Sequence, residues 1–453
     1  MLRKSATSQF RHVGQPAGHR LCRGATARTG TVTRVNLRAV EARVLAVAPW
    51  LLALSVLGHL VMVTFQQKMT MVDLMVYRNA SPEIFTGQLY DWRLREFSDQ
   101  FALPFTYPPF AALVFVPLSV VSWTVARWFW QLVSLACLWW LVRCALRLIA
   151  KSTGSTADVG DVGDVDPDLW RRRAMLWTGL SVWIEPVRTT LNYGQINLVL
   201  AAVLLATMAS RRASLAGLGV GVTAGIKLTP AISGLYFLVT RRFAAAAWSV
   251  AAFLLTVGLG YLVTPGQSNR FWFQLLGDAT RVGPVGSAIN QSLRGALSRT
   301  LGYDVDSGLP WLLAVAVSAV LLGWALRAAL RVGDTLAGIV AVQIFGLLVS
   351  PISWSHHWVW MVPGLMWLLY GRARGHRLVA WTAGLWVLAV GSYLISFLLK
   401  AQPSIWIIPR PWYFSALGWV YPACGLLTLV AVAVGLRART SSDQQAAATV
   451  SSA

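Results

Sequence analysis

The chain has 453 residues, with 39 Lys and Arg against 17 Asp and Glu, a formal net charge of +22, 56% hydrophobic and 12% charged residues, and 23 Trp. Its charged fraction is about half that of a soluble globular domain, and several apolar runs reach the ~20 residues that cross a ~30 Å hydrocarbon core, so the class is a polytopic membrane protein. Nucleic-acid binding is excluded, because the Arg residues fall mostly in short segments between apolar runs, where topology signals belong.

Residues 1–43 are basic and polar, without the short apolar core and small-residue cleavage site of a signal peptide. They are expected to form a disordered cytoplasmic tail ahead of a membrane domain over 44–437. A first span at about 44–65 puts this tail inside and Asp73, in "TMVDLMVYRNA" (70–80), outside. Residues 107–122, "YPPFAALVFVPLSVVS", are apolar, but sixteen helical residues cover only ~24 Å and Pro interrupts both ends. They are expected to lie along the membrane in a first outer loop, 66–123, carrying juxtamembrane helices.

The span 124–148 ends at Arg143, Arg147 and Lys151 inside, and 151–173 is a cytoplasmic loop. A span at 174–188 brings "EPVRTTLNYGQIN" out, and 196–210 returns to Arg211 and Arg212. The 28 residues before Arg241 and Arg242 are short for two full crossings. They are expected to be broken helices turning at "GIKLTP" (225–230), where irregular backbone lines a cavity. A span at 243–263 leads to a long outer loop, 264–308. Spans at 309–330, 335–353, 357–371, 378–399 and 413–436 complete twelve passages. The segment 438–453 is expected as a disordered cytoplasmic tail. The fold class is therefore an all-α polytopic membrane protein.

This path, drawn from hydropathy and Lys/Arg alone, gathers Asp73, Arg78, "FTYPPF", Glu185, Arg188, "NYGQIN", Lys227, "NQSLR" (290–294) and "SWSHHW" (353–358) on the outer face. Charges at membrane depth are costly and mark functional cavities by default. Each piece also has a structural reading. Thr70 and Asp73 have capping-box spacing, Lys227 and Arg188 could snorkel, and His356 and His357 could anchor at the interface beside Trp354 and Trp358. Glu83 and Asp91 read as solvated loop acids. Cys22, Cys137, Cys144 and Cys424 have no metal or disulfide spacing. Two adjacent His without a spaced carboxylate make a poor zinc site, so no metal and no cofactor is expected.

Asp73 with "LMVYRNA", then "LYDW", "FTYPPFAALVFVPLS", "LNYGQINLVL", "GIKLTPA", "NQSLRG" and "SPISWSHHW", in that order, resemble glycosyltransferase family 87 over roughly residues 45–435. These are membrane enzymes of the GT-C type from actinobacteria. The nearest resemblance is to members that use polyprenol-phosphate-mannose for α-(1→2) mannosyl transfer to phosphatidylinositol mannosides and related lipoglycans.

The resemblance implies a polyprenyl-phosphate-mannose donor, a lipid-linked mannoside acceptor, surrounding membrane lipids, and an active site on the outer face of the plasma membrane. It maps the catalytic base onto Asp73. It supports Lys227, His356 and His357 as the groups that hold the leaving phosphate, more than Arg188. Further candidates for the donor phosphate or substrate are Arg78, Tyr107, Asn192, Gln195, Asn197, Asn290 and Gln291. Within the enzymes the alternative is an arabinofuranosyltransferase using decaprenyl-phosphoryl-arabinose. Outside them it is a transporter or flippase, which would place its polar groups near the midplane and carry an internal repeat. No repeat relates the two halves of the sequence.

Overall fold

The computed structural model describes residues 37–65, 70–95, 102–154 and 167–451, with side chains described between 41 and 438. Residues up to Arg43 form one unit, whose described part is the start of the helix Leu37–Ala46, and Val44 onward forms another. In the second unit, five helices are long and apolar enough to cross a membrane: Ala48–Phe65, Trp123–Ser152, Phe243–Val263, Leu309–Arg331 and Val420–Ala438. Counting two bent pairs as one span each raises the number to seven among the described residues.

The bends explain where the expected spans are broken. The stretch 174–188 is not one helix. The helix Pro167–Ser181 stops, Ile184 turns extended, and a new helix, Glu185–Tyr193, starts with Pro186 in its first turn. Proline lacks the N–H that a continuing helix would need, so it suits a helix start. The next helix, Asn197–Met208, is bent by 119° from Glu185–Tyr193. The stretch 378–399 is likewise divided, because Tyr393 takes a left-handed φ of 54° between Arg377–Gly391 and Leu394–Ala401. Two further departures are small. A two-residue antiparallel pair, Arg93–Leu94 with Leu103–Pro104, interrupts an otherwise helical chain. The last helix continues from Val420 to Ser451, into the polar segment expected as a disordered tail. Its run of Gln and Ala there has good helix propensity.

The helix Ala213–Ile226 ends at Lys227, whose backbone is extended, and the chain resumes as the short helices Thr229–Ile232 and Ser233–Val239. Gly217 and Gly221 fix how this helix packs. A Cβ at either would lie 2.4 Å from a carbonyl of the helix Phe243–Val263, at Ala245 or Ser249. Small residues four apart let two apolar helices approach at backbone distance where lipid gives no hydrophobic drive.

A large buried core joins the helices from Trp123 onward. A second, aromatic core gathers the first outer loop: Leu74, Tyr77, Tyr90, Phe105, Tyr107 and Phe115 pack with Trp130, Ile226 and Phe271. Tyr77 stacks on Phe115 with centroids 4.3 Å apart and planes 6° from parallel. The outer-loop helices Val72–Ala80 and Pro109–Ser119 are thereby held against the bundle, and with them Asp73.

Candidate active site

The helix Val72–Ala80 is not started by a Thr70–Asp73 capping box, the structural alternative for Asp73. Its N-cap residue is Met71, at a left-handed φ of 42°, and no side chain caps it. The Thr70 hydroxyl has no hydrogen-bond partner. What fixes this end is tertiary. The Met71 N–H donates to the Asn192 carbonyl at 2.9 Å, and the Met71 sulfur lies 3.4 Å from the Gln131 amide nitrogen. A non-glycine residue held at positive φ is strained and persists only where its surroundings over-determine it.

The same seam places Gln195. The helix Glu185–Tyr193 closes with Gly194 at φ 68°. The Gly194 N–H donates to Leu191 and the Gln195 N–H to Thr190, the paired bonds of a Schellman motif. A Cβ at Gly194 would sit 2.7 Å from Leu74 Cβ, so this turn presses directly on the Asp73 helix. Gln195 Oε1 accepts from the Tyr77 hydroxyl at 2.9 Å and the Tyr107 hydroxyl at 3.0 Å. Its amide nitrogen is then the group left to donate to Asp73. Withdrawal from water pushes the Asp73 carboxyl up to about 6, against the opposing pull of the Gln195 bond and the Lys227 charge.

Asp73, Tyr77, Tyr107, Tyr193, Gln195, Lys227, His356 and His357 all line one cavity of about 420 Å³, with apolar residues such as Val282, Ile289, Leu399 and Ile405 on its other walls. The Lys227 Nζ donates to Asn197 Oδ1 at 2.9 Å, lies 3.1 Å from His357 Nε2, and sits 5.3 Å from the centre of the Tyr107 ring. With Lys227 as an ammonium, which only donates, His357 Nε2 is the acceptor and the imidazole is neutral with its proton on Nδ1. That Nδ1 and both ring nitrogens of His356 are buried without a partner. Buried polar atoms are normally satisfied, and a neutral imidazole carries one N–H. One unspent donor on each histidine therefore marks where a ligand's oxygens would be received, while the other His356 nitrogen is an acceptor.

Other expected residues serve this wall from behind. Asn197 holds Lys227 and also donates to the His356 carbonyl at 2.9 Å, which Thr190 bonds as well. Asn192 contributes its backbone carbonyl to Met71. Asn290 spends its side chain on the carbonyls of Val285 and Pro351 and the N–H groups of Ser292 and Ser353. Gln291 is spent on Ala288, Gly418 and Tyr421. Both amides brace the 282–290 loop and do not line the cavity.

Two expected cations also lie off the cavity wall. Arg78 bonds the Val121 carbonyl at 2.8 Å and Asn79. Arg188 donates to His59 Nδ1 at 2.9 Å, His59 Nε2 to Gln131 Oε1 at 2.8 Å, and Gln131 Nε2 to the Leu191 carbonyl at 2.9 Å. That directional chain ends at the turn presenting Gln195, so Arg188 acts on the site from outside it. Glu185 accepts from Ser396 and Tyr421, joining three parts of the bundle away from the cavity. Tyr77 and Tyr193 line the cavity although neither was a candidate. For Tyr77 a signal existed: it stands four residues after Asp73, hence on the same helix face.

Among the described residues, no group of three or more His, Cys, Asp or Glu is placed to hold a metal ion. Chemically the cavity offers a carboxylate with a raised pKa opposite a lysine and neutral imidazoles, beside several aromatic rings. This arrangement can take a proton at one end and receive developing negative charge at the other.

Residues 105–351 match the sequence profile described as Glycosyltransferase family 87. The chain is 43% identical over 394 residues, 86% of its own length and 92% of the relative's, to a polyprenol-phosphate-mannose-dependent alpha-(1-2)-phosphatidylinositol pentamannoside mannosyltransferase of Mycolicibacterium smegmatis. It is 44% identical over 370 residues, 81% of this chain and 82% of the other, to a Mycobacterium tuberculosis protein of the same description. A second M. tuberculosis protein, described as acting on phosphatidylinositol mannoside, is 31% identical over 328 residues, covering 72% and 76%. No solved structure matches the chain.

Proposed function

Because the chain belongs to glycosyltransferase family 87, we propose that it transfers mannose from polyprenyl-phosphate-mannose to a hydroxyl of a lipid-anchored mannoside, forming an α-(1→2) linkage. The donor and acceptor classes are those in the names of its relatives. The observation that carries the reading is the shared cavity of Asp73, Lys227, His356 and His357.

In the reaction, the acceptor oxygen attacks the anomeric carbon while its proton passes to the Asp73 carboxylate. The bond from that carbon to the phosphate oxygen breaks, and the electron pair leaves on polyprenyl phosphate. Lys227 offsets the growing negative charge, and one unspent N–H on each of His356 and His357 is placed to donate to it. A β-configured donor and an α-linked product imply a single displacement with inversion, so no enzyme nucleophile is required. Tyr107, Tyr193 and Trp354 offer ring faces and edges to the sugars.

The proposed setting is the plasma membrane, with twelve passages over 44–437, both tails cytoplasmic, and the cavity facing outward. The apolar helices too short to count alone, such as Ala213–Ile226 and Thr335–Val349, would supply the remaining passages. The test is transfer from labelled polyprenyl-phosphomannose in membranes carrying the protein, with linkage analysis. An α-(1→2)-mannosylated lipid is expected. Transfer only from decaprenyl-phosphoryl-arabinose would replace the donor.

A further inference from the structure

A groove of about 440 Å³, remote from the cavity, lies at the C-terminal end of the helix Leu309–Arg331, lined by Val239, Gly323, Leu326, Arg327, Leu330 and Arg331. This helix follows the long loop in which Val282, Gly283, Pro284, Ser287 and Ile289 wall the active-site cavity, with the helix Leu293–Leu301 between them. Its 23 residues rise ~34 Å, enough to cross the bilayer. The groove therefore opens at the opposite membrane surface from the cavity.

Its chemistry is divided along the helix. Arg327 and Arg331 are four residues apart and share one face. Both are exposed, and neither has a hydrogen-bond or ion-pair partner among the described residues. No acidic residue lines the groove. Gly323 stands one turn deeper toward the membrane interior, and a Cβ there would meet nothing within 4 Å. Val239, Leu326 and Leu330 supply apolar wall around that open floor. Cations at the surface end and an open apolar floor at the deep end form an outline of a phospholipid, headgroup outward.

We propose that this groove binds an anionic phospholipid of the leaflet opposite the active site, with the phosphate between Arg327 and Arg331 and an acyl chain over Gly323. Basic pockets between spans at the membrane surface attract anionic headgroups, and each nearby cation adds to the preference. A zwitterionic lipid would bring its own ammonium against the same guanidiniums and lose that advantage. Arginines serving only as topology signals would be satisfied by water and would not discriminate among lipids. The proposal does not depend on which sugar or acceptor the enzyme uses.

Nanodiscs with equal phosphatidylglycerol and phosphatidylcholine, followed by native mass spectrometry of the released full-length protein, provide the test. The parent protein is expected to retain phosphatidylglycerol with roughly tenfold preference. Arg327→Gln/Arg331→Gln should abolish the preference, and Arg327→Lys/Arg331→Lys should keep most of it. Gly323→Leu, which leaves the charge untouched, should reduce retention of both lipids by filling the floor, and it decides the matter if the double Gln variant inserts poorly. Equal retention of the two lipids by the parent, unchanged retention in Gly323→Leu, or occupation by a second copy of the chain would each overturn the proposal.

Discussion

Gln195 is the residue that tunes Asp73, the proposed base. Its carbonyl is committed to Tyr77 and Tyr107, so its amide nitrogen faces Asp73 and opposes the rise in that carboxyl's pKa. A base must be ionised to act. With Asp73 near 6, kcat/KM should fall as pH drops through that value and level off above it. Gln195→Leu removes a bond that favours the charged form, so the acid limb should move to higher pH; a pH–rate profile of the two proteins checks this. An unmoved limb would mean that another group sets it. On the phosphate side, Lys227→Ala and His356→Ala should each lower turnover by ~10²-fold or more, the scale of losing one donor to a developing oxyanion, at unchanged membrane levels. Near-normal transfer in both would place the phosphate elsewhere. Chelators should leave the rate unchanged, since the proposal gives these side chains the work assigned to a metal in other transferases; a metal-restored rate would contradict that. Which residues line the cavity was partly legible beforehand. Asp73, Tyr107, Gln195, Lys227, His356 and His357 were expected and line the cavity. Asn290 and Gln291 were expected too, yet their amides are consumed by backbone groups, which no sequence pattern reveals.

At the scale of elements, the site depends on one seam, where the turn at Gly194 meets the strained start of the Asp73 helix. Gly194→Ala would force an alanine into φ 68° and its Cβ to 2.7 Å from Leu74. The conformation alone costs ~1–2 kcal/mol, and the contact adds to it, so a clear drop in Tm together with activity is expected. Gln131→Leu tests the chain from Arg188 more selectively. It leaves the fold's apolar packing in place but frees the Leu191 carbonyl and the Met71 sulfur. A buried bond of this kind is worth ~1–3 kcal/mol when one partner is left unsatisfied. Turnover should fall about tenfold, with KM near the parent value, because a small misplacement of reacting groups costs rate before it costs binding. A change confined to KM would argue that the chain touches substrate instead. Sequence patterns could not show this chain. His59 and Gln131 lie inside apolar runs far from Arg188 in sequence, and Arg188 looked like a free cation only because its partner is 129 positions away. The broken helices at 182–184 and Tyr393 were hidden for a related reason: hydropathy reports burial in lipid, and a kink between two apolar segments leaves it unchanged.

For the whole molecule, the apolar runs and basic clusters were enough to find a helical membrane protein and to bring the motif-bearing segments together. The path through the bilayer is the larger commitment. Cysteines introduced at Gln88 and within 285–290 should react with an impermeant reagent from outside the cell, and one at Asp161 should not. Labelling at 161 would mean that 107–122 crosses, although its helix, Pro109–Ser119, is only eleven residues long. Asp161 itself lies outside the described residues. The central claim, that one carboxylate beside this cavity takes the acceptor's proton, is tested most directly by Asp73→Asn. Initial transfer rates from labelled polyprenyl-phosphomannose are compared at pH 7.5 and equal membrane levels, with Glu83→Gln and Asp91→Asn as controls. Asn keeps the shape of Asp73 and can still hydrogen-bond, and the helix start does not rely on a side-chain cap from Asp73, so folding should be spared. Transfer should fall by ~10²-fold or more, with both controls near the parent rate. An Asp73→Asn protein that transfers mannose about as fast as the parent would contradict it.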